Sequence, residues 1–315
     1  MLDPIYTNGV IAVKEKFLMG DKLLRFTEMS AEEVLRAVAE SGFGSGAQSQ
    51  DGESLCQAEE LALDGFIREY APSRAELVYL LSFRDFHNAK AVCKAHKLNS
   101  SAEKMFAPDG LTPVSEISSA VAAEKTDELP KELRAPLRAV LDSEKELSGA
   151  EIGALFDAAA FEYVAESCKF NPLLKKLLAG RADRTNILTA VRSSDADFAE
   201  KLYVGGGKLK NEKLRVLFKD TDSIVEAFEK TPYLEFVKLC LTAKEKGMPF
   251  TDGERALESF EAEYFKARRF ELEGRQPFLY YVFRRRAEIQ NVRIILVCLN
   301  AGLAPQDIRR RLRAI

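Results

Sequence analysis

Apolar residues recur every three or four positions through nearly the whole chain. Phe278, Tyr281, Val282, Ile289, Val292, Ile295, Leu296 and Leu299 hold that spacing near the C-terminus, and Leu77, Leu80, Leu81, Phe83, Phe86 and Ala89 hold it earlier. Such spacing lines one face of a helix. Ile152, Leu155, Phe156, Ala159, Ala160 and Tyr163 predict another helix within 151–178, broken at Asn171-Pro172, because the residue before proline disfavours helical geometry. The sequence has no alternating Val-, Ile- and Thr-rich segments bounded by turns, so no sheet is predicted. The fold class is all-α.

Three of these stretches carry the same pair of polar residues. Asp85 and Asn88, Asp183 and Asn186, and Glu288 and Asn291 each stand three apart, which places acid and amide on one helix face. The acids are 98 and then 105 residues apart. With 49 acids and eight asparagines, about one such pair is expected by chance, so the flanks decide whether the repeat is real. Pro172 and Pro277 each lie eleven residues before their acid, as expected of a first helical position, and Pro72 lies thirteen before Asp85. Gly110-Leu111, Gly207-Lys208-Leu209 and Gly302-Leu303 follow the three motifs, and the expectation is that each glycine closes its helix. The repeat predicts a single fold over 1–315 with internal units near 1–100, 101–205 and 206–315. Asn8 with Gly20 and Leu23 reads as a fourth, incomplete copy, so that the chain ends would close the set.

Some segments depart from the pattern. Ser41 to Asp51, rich in Gly and Ser, reads as a flexible surface loop. Lys131 to Glu146, charged and interrupted by Pro136, reads as a solvated helix face with a kink. Gly205-Gly206-Gly207 lacks the spacing of a phosphate loop and has no preceding strand, so a helix terminus is expected there.

Composition adds exclusions. A net charge of −3 gives no electrostatic reason to expect nucleic acid. The apolar run Ile294–Leu299 is far short of the roughly 20 residues that span a bilayer. Met1-Leu2-Asp3-Pro4 lacks the basic start and apolar core of a signal peptide, so a cytoplasmic location is expected. Cys56, Cys93, Cys168, Cys240 and Cys298 are scattered without C-x-x-C and read as reduced, buried thiols. His87 and His96, nine apart on one helix, face opposite sides and predict no metal site. Neither a catalytic nucleophile–base pair nor a cofactor fingerprint is present.

One acid and one amide per copy is how structural contacts repeat, and this reading is favoured over catalysis. Asp85, Asn88, Asp183, Asn186, Glu288 and Asn291 are therefore expected to fix helix docking. Arg293 stands where Lys90 stands after the first motif, offering an ionic partner, whereas the middle copy has Leu188. Arg284-Arg285-Arg286 and Arg309-Arg310-Arg311-Leu312-Arg313 are the basic clusters, and Arg309, Arg310 and Arg313 are candidate partner contacts.

The C-terminal region resembles a known family. Gln276-Pro277-Phe278-Leu279-Tyr280-Tyr281, then Ala287-Glu288-Ile289-Gln290-Asn291-Val292-Arg293, then Gly302-Leu303-Ala304-Pro305 and the basic end, resemble the C subunit of V/A-type rotary ATPases. Its eukaryotic counterpart is called the d subunit. Tyr79 to Lys94 resembles the family's first D-F-x-N-x-K helix, and the order holds over nearly the whole length, with Tyr6-Thr7-Asn8 fitting less closely. Arg184-Thr185 inside the middle motif and the loop at 41–51 depart from the pattern. The resemblance implies three quasi-equivalent helical bundles around a pseudo-threefold axis, forming a funnel. It also implies a non-catalytic part without cofactor, seated on the cytoplasmic face of a membrane proteolipid ring. There it receives the central axle, made of the D and F subunits, and links ATP hydrolysis or synthesis to proton or sodium translocation. A helical-repeat scaffold unrelated to ATPases is the alternative that the repeat alone permits.

Overall fold

A computed structural model of the chain describes residues 4–97, 101–145, 147–268 and 273–313. Met1, Leu2 and Asp3, read above as an opening without a signal peptide, and Glu146, the end of the charged segment, lie outside the described residues. Among those described, helices and short 3-10 turns are the only regular elements, in agreement with the all-α expectation. The chain opens with α1 (Pro4–Lys14), α2 (Lys22–Phe26), α3 (Ala31–Glu40) and α4 (Gly52–Tyr70), then enters α5 (Arg74–Lys97). Next come α6 (Val114–Ala122), α7 (Lys131–Leu141), α8 (Gly149–Ser167) and α9 (Pro172–Arg192). After α10 (Ala196–Lys201), α11 (Asn211–Arg215), α12 (Thr221–Phe228), α13 (Leu234–Glu245) and α14 (Thr251–Lys266), α15 (Gln276–Asn300) leads to α16 (Pro305–Arg311). The three motif helices, α5, α9 and α15, are the longest.

Local chemistry sets many of the helix starts. Ser30 and Ser148 form capping boxes with Glu33 and Glu151. Asp51, Asn171, Asp195 and Asp220 accept from the third helical N–H of α4, α9, α10 and α12. Each such cap contributes about 1 kcal/mol. Pro172 sits at the start of α9, where its missing N–H costs nothing. At the end of α15, Gly302 adopts a left-handed φ of 71°, and the Leu303 N–H reaches back to the Cys298 carbonyl at 3.0 Å. That is the glycine closure the sequence predicts.

The chain divides into two compact units, Arg74–Leu257 and Met1–Ser73 with Glu258–Ile315. The two larger apolar cores among the described residues of the first unit are these. One gathers Phe86 and Cys93 of α5, Ile117 of α6, Leu137 of α7 and Phe156 of α8. The other gathers Ile187 and Val191 of α9 with Leu217, Phe228, Val237 and Cys240. In the second unit α15 packs against α1 to α4 and α16, so both chain ends build one core around it. Phe66 of α4 lies 5.8 Å from the Phe278 ring and 5.1 Å from that of Tyr281. Burying each such side chain contributes roughly 1.5–3 kcal/mol.

Three local expectations change. The Gly/Ser segment is not wholly a surface loop: Phe43 is buried, and the Gly44 N–H donates to Glu59 at 2.7 Å. α7 is more than a solvated face: Leu133, Pro136, Leu137 and Val140 are buried, and the opposite side is the charged one. Gly205 to Gly207 is a bend beyond α10, not a helix terminus. All five cysteines are free and buried. Burial pushes the thiols of Cys56, Cys168 and Cys240 up to about 12 and that of Cys93 to about 11.

Candidate functional site

Each motif helix turns its acid and its asparagine onto a distant stretch of backbone. In α5, Asn88 Nδ2 donates to the Ala107 carbonyl at 3.2 Å while its Oδ1 accepts from the Ala107 N–H at 2.8 Å. In α9, Asn186 holds both groups of Val204 at 2.9 and 2.8 Å. In α15, Asn291 holds both groups of Arg313 at 3.1 and 2.7 Å. A primary amide presents one donor and one acceptor side by side, so it can satisfy both polar groups of a single residue. All three asparagines are at most 4% exposed, and in such surroundings an unpaired polar group costs about 1–3 kcal/mol.

The acids hold a second point. Asp85 accepts the N–H groups of Leu111 and Thr112 at 3.0 and 2.9 Å. Asp183 Oδ1 accepts those of Lys208 and Leu209 at 2.8 and 2.9 Å. Its Oδ2 accepts from the Tyr233 hydroxyl at 2.5 Å. Burial first, then this bond to Asp183, raises the Tyr233 phenol above its ordinary value. Glu288 accepts the Gly20 N–H at 3.0 Å, from a segment 268 residues earlier.

In the first two motifs glycine is needed where backbone meets carboxylate. A β-carbon at Gly110 would lie 2.8 Å from the Leu81 carbonyl oxygen and collide with the Asp85 carboxylate, and one at Gly207 would collide with Asp183. Gly110 and Gly207 therefore do not close α5 and α9, which end well before them; of the three glycines read as helix closures, only Gly302 acts as one. The glycine that serves the third motif is Gly20, which in sequence has a place only in the incomplete fourth copy. The near-constant interval from acid to glycine, 25 residues in the first motif and 24 in the second, is the signal that could have found the contact. Asn8 forms no clamp of this kind: its Nδ2 donates to the Gly274 carbonyl at 3.1 Å.

The third motif also carries a buried charge network. Arg285 bridges Glu59 at 2.7 Å and Glu288 at 3.0 Å, and its guanidinium lies 5.3 Å from the Phe43 ring centroid. Burial works against the Arg285 cation, but the two carboxylates outweigh it and hold its pKa above the ordinary value. Glu59 in turn holds the Gly44 N–H, so one network ties α4, α15 and two N-terminal loops. In sequence Arg285 belongs to a basic cluster, and nothing there singles out Glu59.

The position two residues after each asparagine differs among copies. Lys90 reaches Asp157 of α8 at 2.8 Å, and Arg293 reaches Glu53 and Glu60 of α4 at 2.8 and 3.0 Å. Leu188 instead lies in the second apolar core, and Arg192, one turn on, pairs with Glu254 of α14. Of the tail arginines, Arg309 pairs with Glu28 and donates to Thr27 at 3.1 Å, and Arg313 pairs with Glu258 at 2.7 Å. Arg310 lies 78% exposed and 3.6 Å from Asp307. Among the described residues no group of histidine, cysteine and acid side chains is arranged to hold a metal ion, and no helix is long and apolar enough to cross a membrane.

A family model described as ATP synthase (C/AC39) subunit matches residues 9–311. The C subunit of a V-type sodium ATPase from Enterococcus hirae is 20% identical over 313 residues, covering 96% of this chain and 92% of that protein.

Proposed function

Because the chain belongs to the ATP synthase (C/AC39) subunit family, we propose that it is the central-stalk coupler of a V/A-type rotary ATPase. It is a structural subunit of such a machine and not a catalytic one. In this role it sits on the cytoplasmic face of the membrane proteolipid ring and receives the axle formed by the D and F subunits. Rotation driven by ATP hydrolysis, or driving ATP synthesis, is thereby linked to proton or sodium translocation. The bundles around α5, α9 and α15 are read as quasi-equivalent copies about a pseudo-threefold axis in a funnel, with 1–100, 101–205 and 206–315 marking the repeat period.

The observation that carries this reading is the family match over 9–311, nearly the whole chain. A mechanical role adds a requirement that the side chains meet: torque must be delivered and not absorbed by bending. Dense cores resist compression, and Asp85, Asn88, Asp183, Asn186, Glu288 and Asn291 pin connecting backbone to the longest helices. Their role is to stiffen the coupler. Arg293 serves the same end by joining α15 to α4. Among Arg309, Arg310 and Arg313, Arg310 is the one to expect in partner contact, because its side chain is the most exposed of the three.

Affinity purification of the tagged chain from its native membranes tests the assignment. The catalytic, axle and proteolipid subunits are expected to co-purify. Recovery of the intact chain without any ATPase subunit would overturn it.

A further inference from the structure

We propose that the loop held by the middle clamp forms a docking groove for an acidic, amphipathic segment of another subunit of the rotary complex. The inference rests on the assignment above. The groove, of about 510 Å³, is floored by Leu209, Val216 and Ala227 and edged by Lys208 and Lys210. Lys213 forms a wall, its ammonium donating to the Ala227 carbonyl and lying 5.3 Å from the Phe228 ring centroid. Glu212 is the one acid in the lining.

Two observations point to an acidic protein partner. First, Lys208 and Lys210 are exposed, yet the backbone of Lys208 and Leu209 is fixed by the fully buried Asp183 carboxylate. A rigid backbone anchor sets where these exposed cations begin, as binding loops on a stiff scaffold require. Second, the charge differs from that of the first copy. The corresponding loop of the first motif, Asp109 to Glu116, contains two acids and no lysine, although Asp85 grips it in the same way. A repeated scaffold thus displays unlike surfaces, and the basic one complements carboxylates on a partner. An apolar partner side chain would seat on Leu209, Val216 and Ala227 while its acidic neighbours meet Lys208 and Lys210.

A photo-crosslinking residue at Val216, in the complex purified from native membranes, tests this. Mass spectrometry is expected to find a product with an Asp/Glu-rich segment of an ATPase subunit. K208E/K210E is expected to lower its yield about tenfold while K208R/K210R retains it. A product with lipid, with a neutral or basic segment, or of undiminished yield in K208E/K210E would overturn the groove. So would no product from a chain that still co-purifies with ATPase subunits, and in each of these cases the coupler assignment survives. Absence of ATPase subunits from the wild-type preparation would sink both. If circular dichroism shows K208E/K210E unfolded, the wild-type crosslink in rising salt decides: it is expected to fade, and a salt-insensitive yield overturns the proposal.

Discussion

The clamps on α9 and α15 use the same pair of residue types to opposite topological ends. Asp183 and Asn186 hold backbone 18 to 26 residues further along, within a stretch that can form locally. Glu288 and Asn291 hold Gly20 and Arg313, and so bring the two ends of the chain onto one helix. The carboxylates also differ in what balances them. Asp183 takes two backbone N–H groups and a phenol, all neutral donors. Glu288 takes one N–H and shares the Arg285 cation with Glu59. A motif of fixed local geometry can therefore stiffen a loop or close a chain, depending on what the fold delivers to it.

The largest effect is expected where charge is buried. R285M should cost about 3–5 kcal/mol, because it leaves Glu59 and Glu288 buried without their cation. D183N should cost less, about 2 kcal/mol, since its remaining acceptor can still serve backbone N–H groups. Urea unfolding of the two variants measures the difference, and equal losses would break the distinction drawn between the clamps. Glycine separates steric from conformational demand next. G207A must displace the Asp183 carboxylate and should cost about 2–3 kcal/mol, whereas G302A meets open space and carries mainly its left-handed φ, about 1 kcal/mol.

Amide hydrogen exchange sharpens the contrast in the asparagines. N186A should expose Val204, which is 4% accessible, and lower stability by about 2 kcal/mol. N291A should release the half-buried Arg313 to water, accelerating exchange there with a loss near ~1 kcal/mol. The thiols report both units at high pH. Cys56 of α4 and Cys93, Cys168 and Cys240 of Arg74–Leu257 have folded values raised from 9.0 to about 11 or 12. Stability from these groups is full below about pH 9 and lost as pH rises toward 11 and 12, because the unfolded thiols release their protons first. A denaturation midpoint constant from about pH 7 to 8.5 and falling above 9 is expected. The smallest effect belongs to the Lys90–Asp157 pair: its partly exposed carboxylate should limit the coupling in a double-mutant cycle to under about 1 kcal/mol.

Much of the helical framework was legible because its signals are local. Apolar spacing marked α5, α8 and α15, and Asn171-Pro172 marked the break before α9. The acid and asparagine of each motif share a helix face for the same reason. Their partners were not legible. Gly110 and Gly207 look, in sequence, like the helix closure that Gly302 is, and only their contact with a carboxylate tells them apart. Arg285 reads as one of three arginines in a basic cluster until Glu59 and Glu288 are placed on either side of it.

By itself the sequence determined an all-helical chain, the position of its motif helices and the residues they turn to one side, since periodicity, caps and proline act within a few residues. The tertiary structure alone decided that Glu288 meets Gly20, that Asn291 meets Arg313 and that Phe43 is buried beneath Arg285. A buried polar group must find a partner, but the identity of that partner depends on which backbone the whole fold brings within about 3 Å.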